Sequence, residues 1–229
     1  MKLKGCVLFM LAACAMAMGV GPACGQAPGV VEDVDSSRMV PMWDGNCVRV
    51  GAVRVFPETH SLVVSGWVNQ VIGPIELLAC GRGGKTHESV FVLNVDPVHL
   101  QTGLLLLGLK PGQPPTGLGQ GQPEGPKLDL WVDWEENGET KSARAETFVY
   151  NVQDKTVLPE TPWIFTGSIF LDGEFKASAE ESLVVTYWDP WAIINIPLIC
   201  GTNDEILVVN TNSVPPLKTP IRMRMEMAK

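Results

Sequence analysis

Apolar and polar positions alternate with a period of two along most of the chain, the mark of strands with one dry and one wet face. Val48 to Phe56 sets arginines between apolar residues, Pro57 to His60 makes a turn, and Ser61 to Val68 returns as the second strand of a hairpin. Leu128 to Trp134 alternates Asp with Leu, Trp and Val, Asn137-Gly138 is a strong hairpin signal, and Lys141 to Tyr150 reads as the partner strand. Ile75 to Cys80, Trp163 to Phe170, Ser182 to Tyr187, Ile206 to Val209 and Ile221 to Met227 add further strands. Ser89 to Val95 is almost wholly apolar, as in a strand buried on both faces. One helix has clear ends: Asp96 can accept backbone N–H bonds, Pro97 suits the first helical position, and Gly108 can take the left-handed stop. Asp189 to Ile194 has room for one more helical turn. These elements predict a mainly β protein, α+β at the margin: an antiparallel sheet or sandwich of about ten strands with one buried helix near 97–108.

The remaining stretches divide the chain. Met1 to Lys4 is basic and Gly5 to Val20 is apolar, too short for a membrane span and suited to a signal peptide over 1–27. Small residues at Ala23-Cys24-Gly25 and Gly25-Gln26-Ala27 offer cleavage sites, whereas Leu11-Ala12-Ala13-Cys14 reads as a lipobox. Either exit places the protein outside the cytoplasm, in the periplasm or outer envelope, with contact to membrane only through a lipid anchor. Residues 28–45 are polar and irregular, a linker, and 46–229 form a single domain. Five prolines and five glycines fall within 111–126, which predicts a flexible surface loop that builds no core.

The formal charge of −8 becomes −10 once Lys2 and Lys4 are removed, and so acidic a domain excludes nucleic acid as a main partner. Cys47, Cys80 and Cys200 are too widely spaced for a zinc or iron–sulfur knuckle; no cofactor is expected, and pairing among the three is not written in their spacing. Asp129, Asp133 and Glu135 read as the wet face of a strand rather than a calcium loop.

Chemistry concentrates in Cys80 to Ser89, which reads as a long hairpin tip between adjacent strands. Gly84-Lys85-Thr86 lacks the earlier glycine of a phosphate loop, since Ala79 stands there, and a strand follows where a helix is required. Cys80 or Ser89 with His87 as base would make a nucleophile, without a Gly-x-Ser-x-Gly elbow. His87 and His99, with Glu88, form a candidate metal or acid–base group. The favoured reading is a binding surface made by Arg82, Lys85, Thr86, His87, Glu88 and Ser89, ordered by hydrogen bonds and ion pairs.

Gly84 to Val90 followed by Asp96 to Gly108 resembles the core motif of the YdjY-like domain family, largely uncharacterised bacterial secreted or lipoprotein domains. Trp163 to Ser168, Asp189-Pro190, Asn210 and Pro215 to Pro220 resemble its C-terminal pattern, so the likeness spans Cys47 to Met227. Gly103 departs from the family's alanine. Some relatives are described as ferredoxin-type, a role that does not carry over because this chain lacks clustered cysteines. The resemblance implies fold and address, not a reaction. The expectation is an exported binding or interaction module of the cell envelope, its protein or small-ligand partner unspecified. The alternative is a metal-dependent or His-assisted enzyme centred on His87, Glu88 and His99.

Overall fold

The computed structural model describes residues 40–229. The expected signal peptide, with Cys14, and most of the expected linker lie outside the described residues.

Ten elements frame the domain: β1 (Ser61–Val68), β2 (Leu77–Cys80), β3 (Ser89–Leu93), α1 (Pro97–Leu106), β4 (Lys127–Glu136), β5 (Trp163–Phe165), α2 (Lys176–Glu180), β6 (Ser182–Val185), β7 (Ile194–Asn195) and β8 (Pro220–Met227). The eight strands form a mainly β sheet in the order β1-β8-β4-β5-β7-β6-β2-β3, and β3 pairs back onto β1 through Gly66↔Leu93 and Val68↔Phe91. The sheet is therefore a closed barrel, not the open sheet or sandwich the alternation predicts. Closure removes the unpaired edges that an open sheet would leave. Gly66 makes the seam possible, since a Cβ there would stand 2.3 Å from the Val92 carbonyl oxygen. Nor is the sheet wholly antiparallel: β2–β3 and β6–β7 are parallel pairs.

The period-two pattern decides what fills the barrel. In β8, Ile221, Met223 and Met225 are buried beside Trp134, Val132 and Leu130 of β4. Arg222 and Arg224 alternate with them and lie opposite Asp133 and Trp131. Apolar inside and charged outside is the inverse of a barrel that faces lipid. Phe91, Phe148 and Trp134 meet edge to face in the core, with ring centroids 5.3 and 5.9 Å apart.

Several predicted strands are shorter than their patterns. Val48 to Phe56 splits at Gly51, φ +55°, into Cys47–Val50 and Val53–Phe56. With Met42–Asp44, inside the expected linker, these form a ribbon running off β1. Lys141 to Tyr150 breaks at a 3-10 turn, Ala145–Phe148, that buries Glu146 and Phe148. Trp163 to Phe170 stops at Phe165, and Phe170–Leu171 pairs instead with Glu174–Phe175. No helix forms over Asp189 to Ile194, while α2 was not foreseen.

Helix α1 begins as its sequence predicts: Val98 N–H donates to Asp96 Oδ1 at 2.8 Å. It lies on the ribbon, where a Cβ on Gly103 would approach Val53 Cγ1 to 2.9 Å, so the glycine departure from the family pattern fits a valine at 53. Its burial is one-sided, with Leu105 and Leu106 exposed.

The Pro/Gly run 111–126 is tied down rather than free. Gln113 and Glu124 exchange backbone hydrogen bonds, Gly112 N–H donates to Phe165, and Gly119 N–H donates to Trp188. Its glycines allow this approach: a Cβ on Gly112 would lie 2.0 Å from the Glu124 carbonyl oxygen.

Candidate functional site

The central loop, residues 81–88, joins two parallel neighbours, so it cannot be a hairpin tip. It must travel back along the barrel wall to restart beside the beginning of β2, and the register Leu77↔Ser89 records that return. Glu76 thereby comes beside Glu88, its N–H donating to the Glu88 carbonyl at 3.1 Å.

Lys85 reaches between the two carboxylates, with Nζ 3.2 Å from Glu76 Oε2 and 3.4 Å from Glu88 Oε1. Burial pushes the Glu76 carboxyl up, against the pull of the Lys85 ammonium. Burial draws the Lys85 ammonium down, but the two carboxylates outweigh it and hold it above its ordinary value. The same group opens onto a cavity of 440 Å³ lined by Pro74, Ile75, Glu76, Glu88, Asp204 and Glu205. Burial, with the Asp204 and Glu76 carboxylates, pushes the nearby Tyr187 phenol up. Tyr187 also packs under the Pro/Gly run, where a Cβ on Gly119 would lie 2.9 Å from its hydroxyl.

The loop is held from both sides. Asn69 donates its side-chain amide to the Thr86 carbonyl at 2.6 Å and the Ser89 carbonyl at 2.9 Å. Ser89 is buried, and its hydroxyl donates to the Lys85 carbonyl at 2.7 Å. Arg82 is exposed and donates to Asn94 Oδ1. On the far side Gly83 N–H donates to Glu181 Oε2 at 2.8 Å and Gly81 N–H to the Glu181 carbonyl at 2.9 Å. Beneath the loop Cys80 is fully buried in a small apolar cluster with Leu77, Val92, Val185 and Ala192, and burial pushes its thiol up to about 11. A protonated, enclosed thiol is a poor nucleophile.

Of the candidate residues, Lys85, Thr86, His87, Glu88 and Ser89 lie together. His87 is 78% exposed, and its Nε2 stands 3.7 Å from Glu88 Oε2. His99 is buried in α1 against Gly51, where an added Cβ would approach its Nδ1 to 2.2 Å. Among the described residues no three His, Cys, Asp or Glu side chains gather as metal ligands, and no disulfide joins Cys47, Cys80 and Cys200. Sequence reasoning missed Glu76, Glu181, Asp204 and Glu205. Only the parallel register could have pointed to Glu76, and nothing local marks the other three.

The closed barrel is packed with side chains, and the glycine-rich crossover and the acidic cavity lie on its outside. The chain belongs to the YdjY domain family, whose model matches residues 57–223. No curated protein and no solved structure matches it.

Proposed function

We propose that the protein is an exported binding or interaction module of the bacterial envelope, working through Lys85 to Ser89 and the adjoining cavity without a cofactor. The observation that carries the reading is the cavity wall. Glu76, Glu88, Asp204 and Glu205 set four carboxylates against the single ammonium of Lys85, in a concave space of 440 Å³ with Pro74 and Ile75 as its apolar part. Such a wall favours a partner group with positive charge on a short apolar stem, such as a primary ammonium. Calorimetric titration of the full chain with spermine tests it. Saturable binding is expected, weakened about tenfold or more in the Glu76→Gln, Glu88→Gln double variant and by raised salt. Absence of binding at millimolar spermine refutes the reading.

The His-assisted or metal-dependent alternative has the His87–Glu88 contact in its favour. Elemental analysis of the purified chain beside His87→Ala decides it. Near-stoichiometric metal that is lost in the variant would replace the binding reading with the enzyme reading.

A further inference from the structure

The three glycines that open the central loop all face one residue. A Cβ on Gly81 would stand 2.0 Å from Glu181 Oε2, on Gly83 2.9 Å from Oε1, and on Gly84 3.0 Å from the Glu181 Cβ. Glu181 itself stands at φ +49°, a left-handed conformation that a residue with a side chain adopts at a cost, at the end of the five-residue helix α2. The chain thus accepts backbone strain at 181 and excludes side chains at 81, 83 and 84. The shared result is a carboxylate seated against the loop backbone, on the Gly83 N–H.

We infer that Gly81 to Gly84 is a carboxylate seat, filled in cis by Glu181, and that this internal ligand makes Glu181 the positioning residue for Lys85 and Glu88. The Gly83 N–H donates to the carboxylate at 2.8 Å and the Gly81 N–H to the Glu181 carbonyl at 2.9 Å, so side chain and main chain of one residue hold the start of the loop. Lys85 and Glu88 follow at once in the chain, and the loop has only residues 81–88 in which to reverse along the wall. A loose start would therefore let both side chains leave Glu76. The role given to Lys85 and Glu88 rests on the proposed binding function; the seat itself does not, and it is read without any partner.

Amide hydrogen exchange of residues 81–88 in the full chain tests the seat, with Glu181→Ala, Glu181→Gly and Gly83→Ala as variants. Glu181→Gly relieves the left-handed strain but removes the carboxylate, whereas Gly83→Ala keeps the carboxylate and crowds its seat. In all three, the amide of residue 83 is expected to exchange about tenfold or more faster, with the barrel strands unchanged. Sodium acetate, which replaces the lost carboxymethyl group, is expected to restore protection in Glu181→Ala at concentrations where sodium chloride does not. Protection that survives in Glu181→Gly would overturn the inference, because the residue would then matter only as a helix end. Failure of acetate to act differently from chloride would also overturn it. Spermine titration of the same variants reports separately on the proposed function: a loosened loop with unchanged spermine affinity upholds the seat and removes Glu181 as a positioning residue.

Discussion

Glu146 is the most demanding group in the fold, and its replacement gives a sharp test of how the barrel is held. Its side chain is 1% exposed, yet both oxygens are engaged. Oε1 accepts from Trp163 Nε1 at 2.7 Å and from Arg144 Nη2 at 3.3 Å, and Oε2 accepts from Arg144 Nε at 3.2 Å. Arg144 also pairs with Asp129 at 2.6 Å and donates to the Thr161 carbonyl at 3.0 Å. Glu146→Ala would orphan the buried Trp163 N–H, a loss of about 1–3 kcal/mol, and strip a largely enclosed guanidinium of one of its two carboxylates. Together these place the loss at about 3–5 kcal/mol, the range for breaking a buried pair. Glu146→Gln, which keeps an acceptor for Trp163, is expected to lose roughly half as much. Replacing the pair together, as Arg144→Met with Glu146→Leu, is expected to recover only the part due to the stripped guanidinium, because the Trp163 N–H stays orphaned and Asp129 loses its partner. Urea unfolding reads these as shifts in midpoint at constant slope, and a thermal scan as a fall of about 6–20 °C for Glu146→Ala. A loss below about 1 kcal/mol would refute the reasoning, since it would mean that water reaches the pair.

Four further outcomes follow from the site and its supports. Gly66→Ala drives a Cβ against the Val92 carbonyl at the seam and is expected to cost about 3 kcal/mol or more in urea unfolding, or to prevent folding. The buried Cys80 thiol, with a folded pKa of about 11 above its ordinary 9.0, adds stability that is fully present below 9 and lost as pH rises through 11. The stability difference between the parent chain and Cys80→Ala should therefore fall by about 2–3 kcal/mol across that window, and a flat difference would contradict the burial. Lys85→Ala leaves Glu76 and Glu88 facing each other, so its loss of about 1–2 kcal/mol at neutral pH should shrink in mild acid as one carboxyl takes a proton. The exposed His87→Ala should change stability by less than about 0.5 kcal/mol.

Much of this was legible in the residues. The dry face of β8 could be read from Ile221, Met223 and Met225, and the helix start from Asp96-Pro97; the density of polar side chains marked the central loop as a candidate. Parallel pairing could not be read, because Leu77 to Cys80 and Ser89 to Leu93 are buried on both faces and carry no alternation to fix direction. That one ambiguity hid Glu76 from the site. Glu181 was hidden by distance, since its hydrogen bond to Gly83 spans 98 positions. The Pro/Gly run misled for a different reason: its composition excludes a core, but its backbone groups still bond to neighbouring segments.

The position of β8 bears on how the molecule comes into being. It lies between β1 and β4, pairing with seven residues of each, although more than eighty positions separate it from β4. A polypeptide emerging from its amino end presents the walls of the cylinder long before the stave that joins them. Until that stave arrives, β1 and β4 each keep an open edge, and the interior stays wet. Closure of the cylinder is therefore a late event that waits on a strand far along the chain.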